Sequence, residues 1–183
     1  MRKKIILLSI SALVLLFVVG LYLLFQKTSA PPSQTTSEIS FKSLVPGKST
    51  KKDVVDVLGT PKKEGATDNN RVLLEYDSDS SVYNNQITLD GGVVDNILEI
   101  VTLKNPKYAK EIINVYGEPK YVLYGSDSYA GFNLYVYPEE GIAYLGSSHN
   151  GLLLEIWYFP PTNIDVFKEK YATEYSDTLE IRQ

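Results

Sequence analysis

The chain of 183 residues carries one pattern twice, and this duplication limits the folds that it can adopt. In each copy, a short stretch with helical spacing of apolar residues runs into Gly-x-Pro, at Gly59 and again at Gly117. An extended stretch follows and closes on nearly the same tetrapeptide, ILEI at 97–100 and LLEI at 153–156. A repeat of this length indicates one supersecondary unit per copy, the two copies sharing a core.

Each copy predicts one main helix followed by three strands. Apolar residues of the two helices recur at i, i+3 and i+4, and the glycine and proline that follow end each helix. Beyond each proline the apolar period changes to two, which is typical of strands. The predicted strands are 72–76, 86–89 and 93–103 in the first copy, and 132–137, 141–145 and 152–159 in the second, where 121–124 can add a short strand. Asp90-Gly91 and Asn150-Gly151 are hairpin turn signals between the last two strands of each copy.

The predicted fold class is α+β, with an N-terminal transmembrane helix before two tandem repeats. Each repeat is expected to have a helix or helices and a three-stranded antiparallel sheet, with the helices on one face. The first repeat is assigned to residues 41–104, and the second, with a C-terminal helix, to 105–175. Residues 26–40, rich in Ser, Thr, Pro and Gln, are predicted to be a disordered linker, and 176–183 a loose tail.

A membrane anchor is predicted at the start of the chain. The segment 5–25 has no charged residue and is long enough to span a hydrocarbon core of about 30 Å. The alternative is a cleaved secretory signal, although Pro31 directly after Thr28-Ser29-Ala30 should hinder cleavage. The basic residues of 1–4 place the amino terminus in the cytoplasm. We therefore expect a single-pass protein of the cytoplasmic membrane: residues 1–25 form a cytoplasmic tail and an anchor that contacts the lipid bilayer through 5–25, and the C-terminal domain is extracytoplasmic.

Charge and cysteine content exclude several classes of protein. The chain has no cysteine, so disulfides, cysteine-ligated zinc and a lipidated cysteine are impossible. All 22 acidic residues lie beyond residue 25, whereas three of the 18 basic residues lie before it. Because the rest of the chain is therefore net negative, we expect no nucleic acid partner.

The residues suggest no catalytic or metal site. The segment 77–81 (DSDSS) begins like a calcium loop but lacks the glycine and glutamate of an EF-hand, so weak calcium binding stays an open alternative. His149 is the only histidine, falls in a predicted turn and has no evident serine partner. Glu139, Glu140 and Glu155 could supply a carboxylate pair for glycoside hydrolysis, although adjacent carboxylates in a turn are ordinarily solvated. We predict no catalytic residues, no metal and no cofactor.

Alternation along the strands of the second copy gives a predicted binding surface. If Leu134 and Val136 face the helices and Glu155 faces water, the other sheet face carries aromatic residues of the kind enriched at protein contacts. The candidate binding residues on this face are Asn133, Tyr135, Tyr137, Glu155, Trp157 and Phe159. The alternative is that another strand pair, the linker or the last helix covers them.

The order of these segments resembles a known family. A short helix, then 46–50 (PGKST) leading into a second helix, then 58–61 (LGTP) and three strands are similar to the small envelope proteins of the SmpA/OmlA (BamE) type, which assist outer-membrane assembly. The doubled arrangement resembles the β-lactamase inhibitor protein, whose tandem copies form a curved sheet that grips an enzyme. The resemblance implies a binding module without chemistry of its own.

We accordingly expect a membrane-anchored, extracytoplasmic, non-enzymatic module of the cell envelope that binds an envelope or secreted protein. The alternative is a cell-wall or carbohydrate-binding protein or enzyme that uses the aromatic sheet face.

Overall fold

The computed structural model describes residues 38–67, 71–80 and 82–179, which form one antiparallel sheet with helices packed against it. Within these residues the eight strands are β1 (Lys63–Ala66), β2 (Val72–Tyr76), β3 (Asn85–Asp90), β4 (Val93–Ile100), β5 (Tyr121–Leu123), β6 (Phe132–Tyr137), β7 (Ile142–Ser147) and β8 (Leu153–Tyr158). The α-helices are α1 (Lys51–Leu58), α2 (Ala109–Tyr116) and α3 (Ile164–Tyr171). The strand order across the sheet is β1-β2-β3-β4-β8-β7-β6-β5.

The helices α1 and α2 end over the sheet in the same way. Each is followed by a glycine with positive φ, 83° at Gly59 and 78° at Gly117, a backbone region that L side chains disfavour. A tyrosine hydroxyl from the sheet then donates to the carbonyl of that glycine, Tyr76 to Gly59 at 3.1 Å and Tyr137 to Gly117 at 2.8 Å. The Gly-x-Pro pattern therefore marks the same helix-ending geometry in both halves.

One sheet face, which we call the front face, packs against α1 and α2. Val54 of α1 and Ile112 of α2 contribute to one buried cluster with side chains of six strands. The strand residues in this cluster are Leu74, Tyr76, Ile87, Leu89, Val94, Ile97, Ile142, Tyr144, Leu153, Ile156 and Tyr158, with Tyr137 of β6. The opposite face, which we call the back face, contributes to a second cluster around Phe167 of α3.

The predicted fold of two three-stranded repeats with helices on one face is wrong in three respects. Each half contributes four strands rather than three. β5 is the additional short strand that the sequence allowed at 121–124, whereas β1 was not predicted, because it is exposed along its whole length and has no apolar alternation. The halves form one sheet because β4 pairs with β8, from Ile97↔Tyr158 to Ile100↔Glu155. This pairing satisfies backbone groups that two separate sheets would leave free at their inner edges. The third difference is that α3 packs on the back face.

The prediction of a single-pass protein of the cytoplasmic membrane is also corrected. Each of the three helices in the described part of the chain has only eight residues, and none is long and apolar enough to cross a membrane. The predicted anchor at 5–25 and most of the predicted linker at 26–40 lie outside the described residues. We do not retain a transmembrane segment or a membrane location in the proposals that follow.

Candidate functional site

The back face of the sheet is covered over β5–β8. Phe167 of α3 is fully buried, and its ring centroid lies 4.7 Å from that of Phe159. The strand side chains buried in the same cluster are Leu123, Leu134, Val136 and Ala143. In this half, α3 therefore completes a second core on the face away from α1 and α2.

Over β1–β4 the same face is open. The register pairs Leu73 with Thr88, Thr88 with Asn96, and Gln86 with Leu98. Because side chains alternate between the two faces of a strand, these residues lie on the back face, opposite the front cluster. We use the name open face for Leu73, Gln86, Thr88, Asn96, Leu98 and Ile100; Glu75, which pairs with Gln86, lies beside them on the same side and binds Lys63 at 3.1 Å. Each of these residues is half-buried, and none belongs to either buried cluster of the described residues. Within residues 38–67, 71–80 and 82–179, no helix covers the open face as α3 covers the other half.

Glu155 and Trp157 of β8 border the open face, because Ile100 pairs with Glu155 and Leu98 with Trp157. The indole Nε1–H of Trp157 donates to Oε2 of Glu155 at 2.8 Å. Burial raises the pKa of the Glu155 carboxyl, the indole hydrogen bond opposes this rise, and the charge of Asp127 adds to it. A carboxylate that resists ionisation therefore lies where the covered half meets the open half.

Asp95 fixes the end of α3 at the same border. The register of β3 and β4 shifts between Thr88 and Leu89, which leaves Asp95 as the extra residue of a bulge. Its carboxylate is 5 % exposed and accepts from Arg71 Nη1 at 3.0 Å, Lys170 Nζ at 2.5 Å and Tyr171 Oη at 3.0 Å. Lys170 and Tyr171 thus hold the C-terminal end of α3 against β4, Arg71 adds a second positive charge to the same carboxylate, and the edge of the cover is fixed in position.

The six predicted binding residues do not share one face. Tyr135 pairs with Tyr144, and Tyr144 pairs with Ile156 of the front cluster, so Asn133, Tyr135 and Tyr137 lie on the front face. Glu155, Trp157 and Phe159 lie on the back face. The assumption of a single exposed face is corrected, because both faces of the second half are packed against helices.

Burial further separates the predicted residues. Tyr137 is 3 % exposed and Phe159 is 2 % exposed, so neither side chain is available to a partner in this structure. The half-buried Tyr135 ring stacks on Tyr144 with centroids 5.0 Å apart. The alternative that the last helix covers the aromatic residues holds for Trp157 and Phe159. Only Glu155 and Trp157 remain next to an open surface.

Sequence reasoning missed the open face itself. The alternation NQITLD of β3 shows that Gln86 and Thr88 share one side, and this signal was available. No sequence signal states which of the two copies is covered by the last helix. Within the described residues, no group of three or more His, Asp or Glu side chains is placed to hold a metal ion.

Comparisons with known proteins add one structural likeness. No family model matches the chain, and no curated protein matches it. A solved structure of a DUF4309 family protein, YjgB from Bacillus subtilis, is similar over 67 % of this chain and 86 % of its own. The two share 16 % sequence identity and superpose with a TM-score of 0.46.

Proposed function

We propose that this protein is a non-catalytic module that binds another protein through the open face. The observation that supports the proposal is that this face is half-buried and contiguous with a surface that, in the other half, is buried under α3. Leu73, Leu98 and Ile100 offer apolar area. Gln86 and Thr88 offer neutral hydrogen-bonding groups, whereas the side-chain oxygen of Asn96 is buried. The apolar residues lie beside the Glu75–Lys63 ion pair, and an apolar area flanked by charged residues is the composition of many protein interfaces.

The charge at the border indicates the kind of partner. Glu155 lies at the end of the open face next to Ile100, and exposed Asp127 contributes to the same negative field. The whole chain has a formal net charge of −4. The occupant that fits is a second protein with an apolar patch bordered by a basic side chain, because complementary charges at a rim direct association and select the partner.

The scaffold is suited to binding without rearrangement. The open face is built on paired strands, and its border is fixed by the contacts of Asp95 with Arg71, Lys170 and Tyr171. A surface that is ordered before association loses less conformational entropy when it binds.

Site-resolved crosslinking tests the proposal in the source cells. A photoreactive p-benzoylphenylalanine is placed at Gln86 or Leu98, and a control is placed at Val115 of α2, which is 69 % exposed and lies on the other side of the sheet. We expect a common crosslinked protein from the two open-face positions and not from position 115. Equal capture from all three positions, or capture from position 115 alone, would contradict the proposal.

Binding of the purified, captured protein then supplies the quantitative test. Leu98→Glu should weaken its affinity at least about tenfold, because a charge is placed at the centre of an apolar contact, whereas Val115→Glu should leave it within about twofold. Both variants should keep the far-ultraviolet circular dichroism spectrum of the wild type. If Leu98→Glu does not change the affinity for the captured protein, the assignment of the open face is refuted. It is also refuted if the protein binds a carbohydrate and Leu98→Glu does not change that affinity.

A further inference from the structure

Glu155 differs from the other carboxylates of the strands in having no cationic partner. Among the described residues, each of the other strand carboxylates has a lysine or arginine nitrogen within 4.0 Å: Glu64 pairs with Lys51, Glu75 with Lys63, Asp90 and Asp95 with Lys170, and Glu99 with Lys107. The only hydrogen bond to Glu155 found in the described residues comes from the neutral indole of Trp157, at 2.8 Å. Glu155 is therefore the one strand carboxylate without a cation within 4.0 Å in the part of the chain that the structure describes.

The surroundings of Glu155 disfavour its charged form, which a nearby cation would stabilise. Burial is the largest influence on its pKa and raises it, and the charged group that acts on it most is another acid, Asp127. A partly desolvated carboxylate is stabilised by an opposite charge much more than an exposed one, because water no longer screens the interaction. A positive group that arrives from outside would restore the pairing that the other strand carboxylates already have.

Two aromatic rings border the same carboxylate. Tyr175 packs edge-on against Trp157, with centroids 6.1 Å apart and an interplanar angle of 86°. Burial raises the pKa of Tyr175 to about 12, and the charge of Glu155 contributes to this rise. Aromatic rings attract organic cations through their electron-rich faces, and a guanidinium group can stack on a ring while it donates two hydrogen bonds to a carboxylate.

We propose that Glu155, Trp157 and Tyr175 form a subsite that binds one arginine or lysine side chain of the protein that docks on the open face. The inference rests on the function proposed above and specifies the chemistry of its partner. Glu155 is the direct neighbour of Ile100 in the sheet. A partner whose apolar side chains contact Leu98 and Ile100 therefore has its basic side chain within one or two residues of the subsite. Arginine is the better ligand, because its planar fork matches the carboxylate and stacks on the rings.

The single tryptophan of the chain provides a direct readout. Its indole N–H gives one resonance in a two-dimensional nitrogen–proton spectrum, and this proton is the one bonded to Glu155. The probes are Nα-acetylarginine methylamide and its uncharged analogue Nα-acetylcitrulline methylamide. We expect the arginine probe to shift the Trp157 indole resonance saturably at millimolar concentration and the citrulline probe to leave it in place. Equal shifts with both probes, or none with either, would overturn the subsite.

Two matched variants identify the carboxylate. Glu155→Gln keeps an oxygen that can accept the indole hydrogen bond but removes the charge, and it should weaken the arginine probe roughly tenfold. Glu174→Gln removes an exposed charge next to Tyr175 and should leave the probe affinity within about twofold. The melting temperature of Glu155→Gln should not fall, because burial already disfavours the charged form. If Glu155→Gln binds the arginine probe as tightly as the wild type, the assignment is refuted. It is also refuted if calcium shifts the Trp157 indole resonance while the arginine probe does not.

The outcomes separate this inference from the function on which it rests. In one outcome, Leu98→Glu weakens the affinity for the captured partner, Glu155→Gln does not, and the arginine probe does not shift the indole resonance. The subsite is then refuted and the open face stands. If the arginine probe responds to Glu155→Gln while no partner is captured from Gln86 or Leu98, the docking function is refuted and the cation subsite stands.

Discussion

The two halves of the sheet share local structure but differ in what covers their back faces. In both, a helix ends at a glycine whose carbonyl accepts from a sheet tyrosine, and four strands follow. Over β5–β8 the back face is buried around Phe167, whereas over β1–β4 it stays half-exposed at Leu73 and Leu98. The comparison teaches that a repeated local pattern specifies the elements of each half, and that the segment after the second half decides which surface remains available.

The junction between the halves is held by polar as well as apolar contacts. The hydroxyl of Tyr158 on β8 donates to Glu99 Oε2 on β4 at 2.7 Å, and Lys107 pairs with Glu99 Oε1 at 2.7 Å. The bond between Tyr158 and Glu99 joins β8 to β4 and reinforces their pairing. The open face and the covered face are therefore parts of one continuous sheet with a rigid border.

Alkaline pH should destabilise the covered half more than the open half, and this is the largest effect that we expect. Burial raises the pKa of Tyr137 and Tyr175 to about 12, and it also raises the pKa values of Tyr144, Tyr158 and Tyr171. The folded protein holds these protons more tightly than the unfolded chain, so stability is full below about pH 10 and is lost as the pH rises toward 12. All five tyrosines follow residue 116, whereas β1–β4 contribute Tyr76.

We expect the free energy of unfolding to fall by about 5 kcal/mol or more between pH 10 and pH 12, since each raised tyrosine contributes about 1 kcal/mol or more. Urea melts at a series of pH values measure this loss, and hydrogen exchange should show β6 and β7 losing protection before β2 and β3. Tyr175→Phe should reduce the slope of stability against pH. Uniform loss of protection across the sheet would break the distinction between the halves.

Truncation of one leucine in each half compares the two back-face surfaces directly. Leu134 on the covered half is fully buried, and Leu98 on the open half is half-buried. Leu134→Ala should cost about 3 kcal/mol because it leaves a cavity under α3, whereas Leu98→Ala should cost about 1 kcal/mol or less because water already reaches it. Denaturant melts of the two variants give both values. A cost for Leu98→Ala equal to that for Leu134→Ala would show that the open face is core.

The border itself is tested at Asp95. Asp95→Asn should destabilise the protein by about 2 kcal/mol, because Arg71 and Lys170 then lose their shared buried counter-charge. Asp90→Asn is the matched control: its exposed carboxylate lies 3.9 Å from the same lysine and should contribute under about 0.5 kcal/mol. Thermal melts measure both changes. Equal effects would mean that Asp95 does not hold α3 against β4.

Much of the local structure could be predicted from the sequence, because it depends on neighbouring residues. The ends of α1 and α2 at Gly59 and Gly117 and the strands β2, β3, β4, β6, β7 and β8 lie where period and turn residues predicted them. The candidate site was predicted only in part. Glu155 and Trp157 border an open surface, but Tyr137 and Phe159 are buried, because alternation identifies two faces of a strand without stating which one is covered.

The types and ends of most helices and strands follow from neighbouring residues, through helix-ending glycines, hairpin turns and the change from helical to alternating apolar spacing. The pairing of β4 with β8, the packing of α3 on the back face, and the lack of a helix over the first half there among the described residues are seen only in the folded chain. The physical reason is that edge pairing and the docking of a helix depend on contacts between residues far apart in the chain. Both Ile100 beside Glu155 and Lys170 beside Asp95 are contacts of this kind.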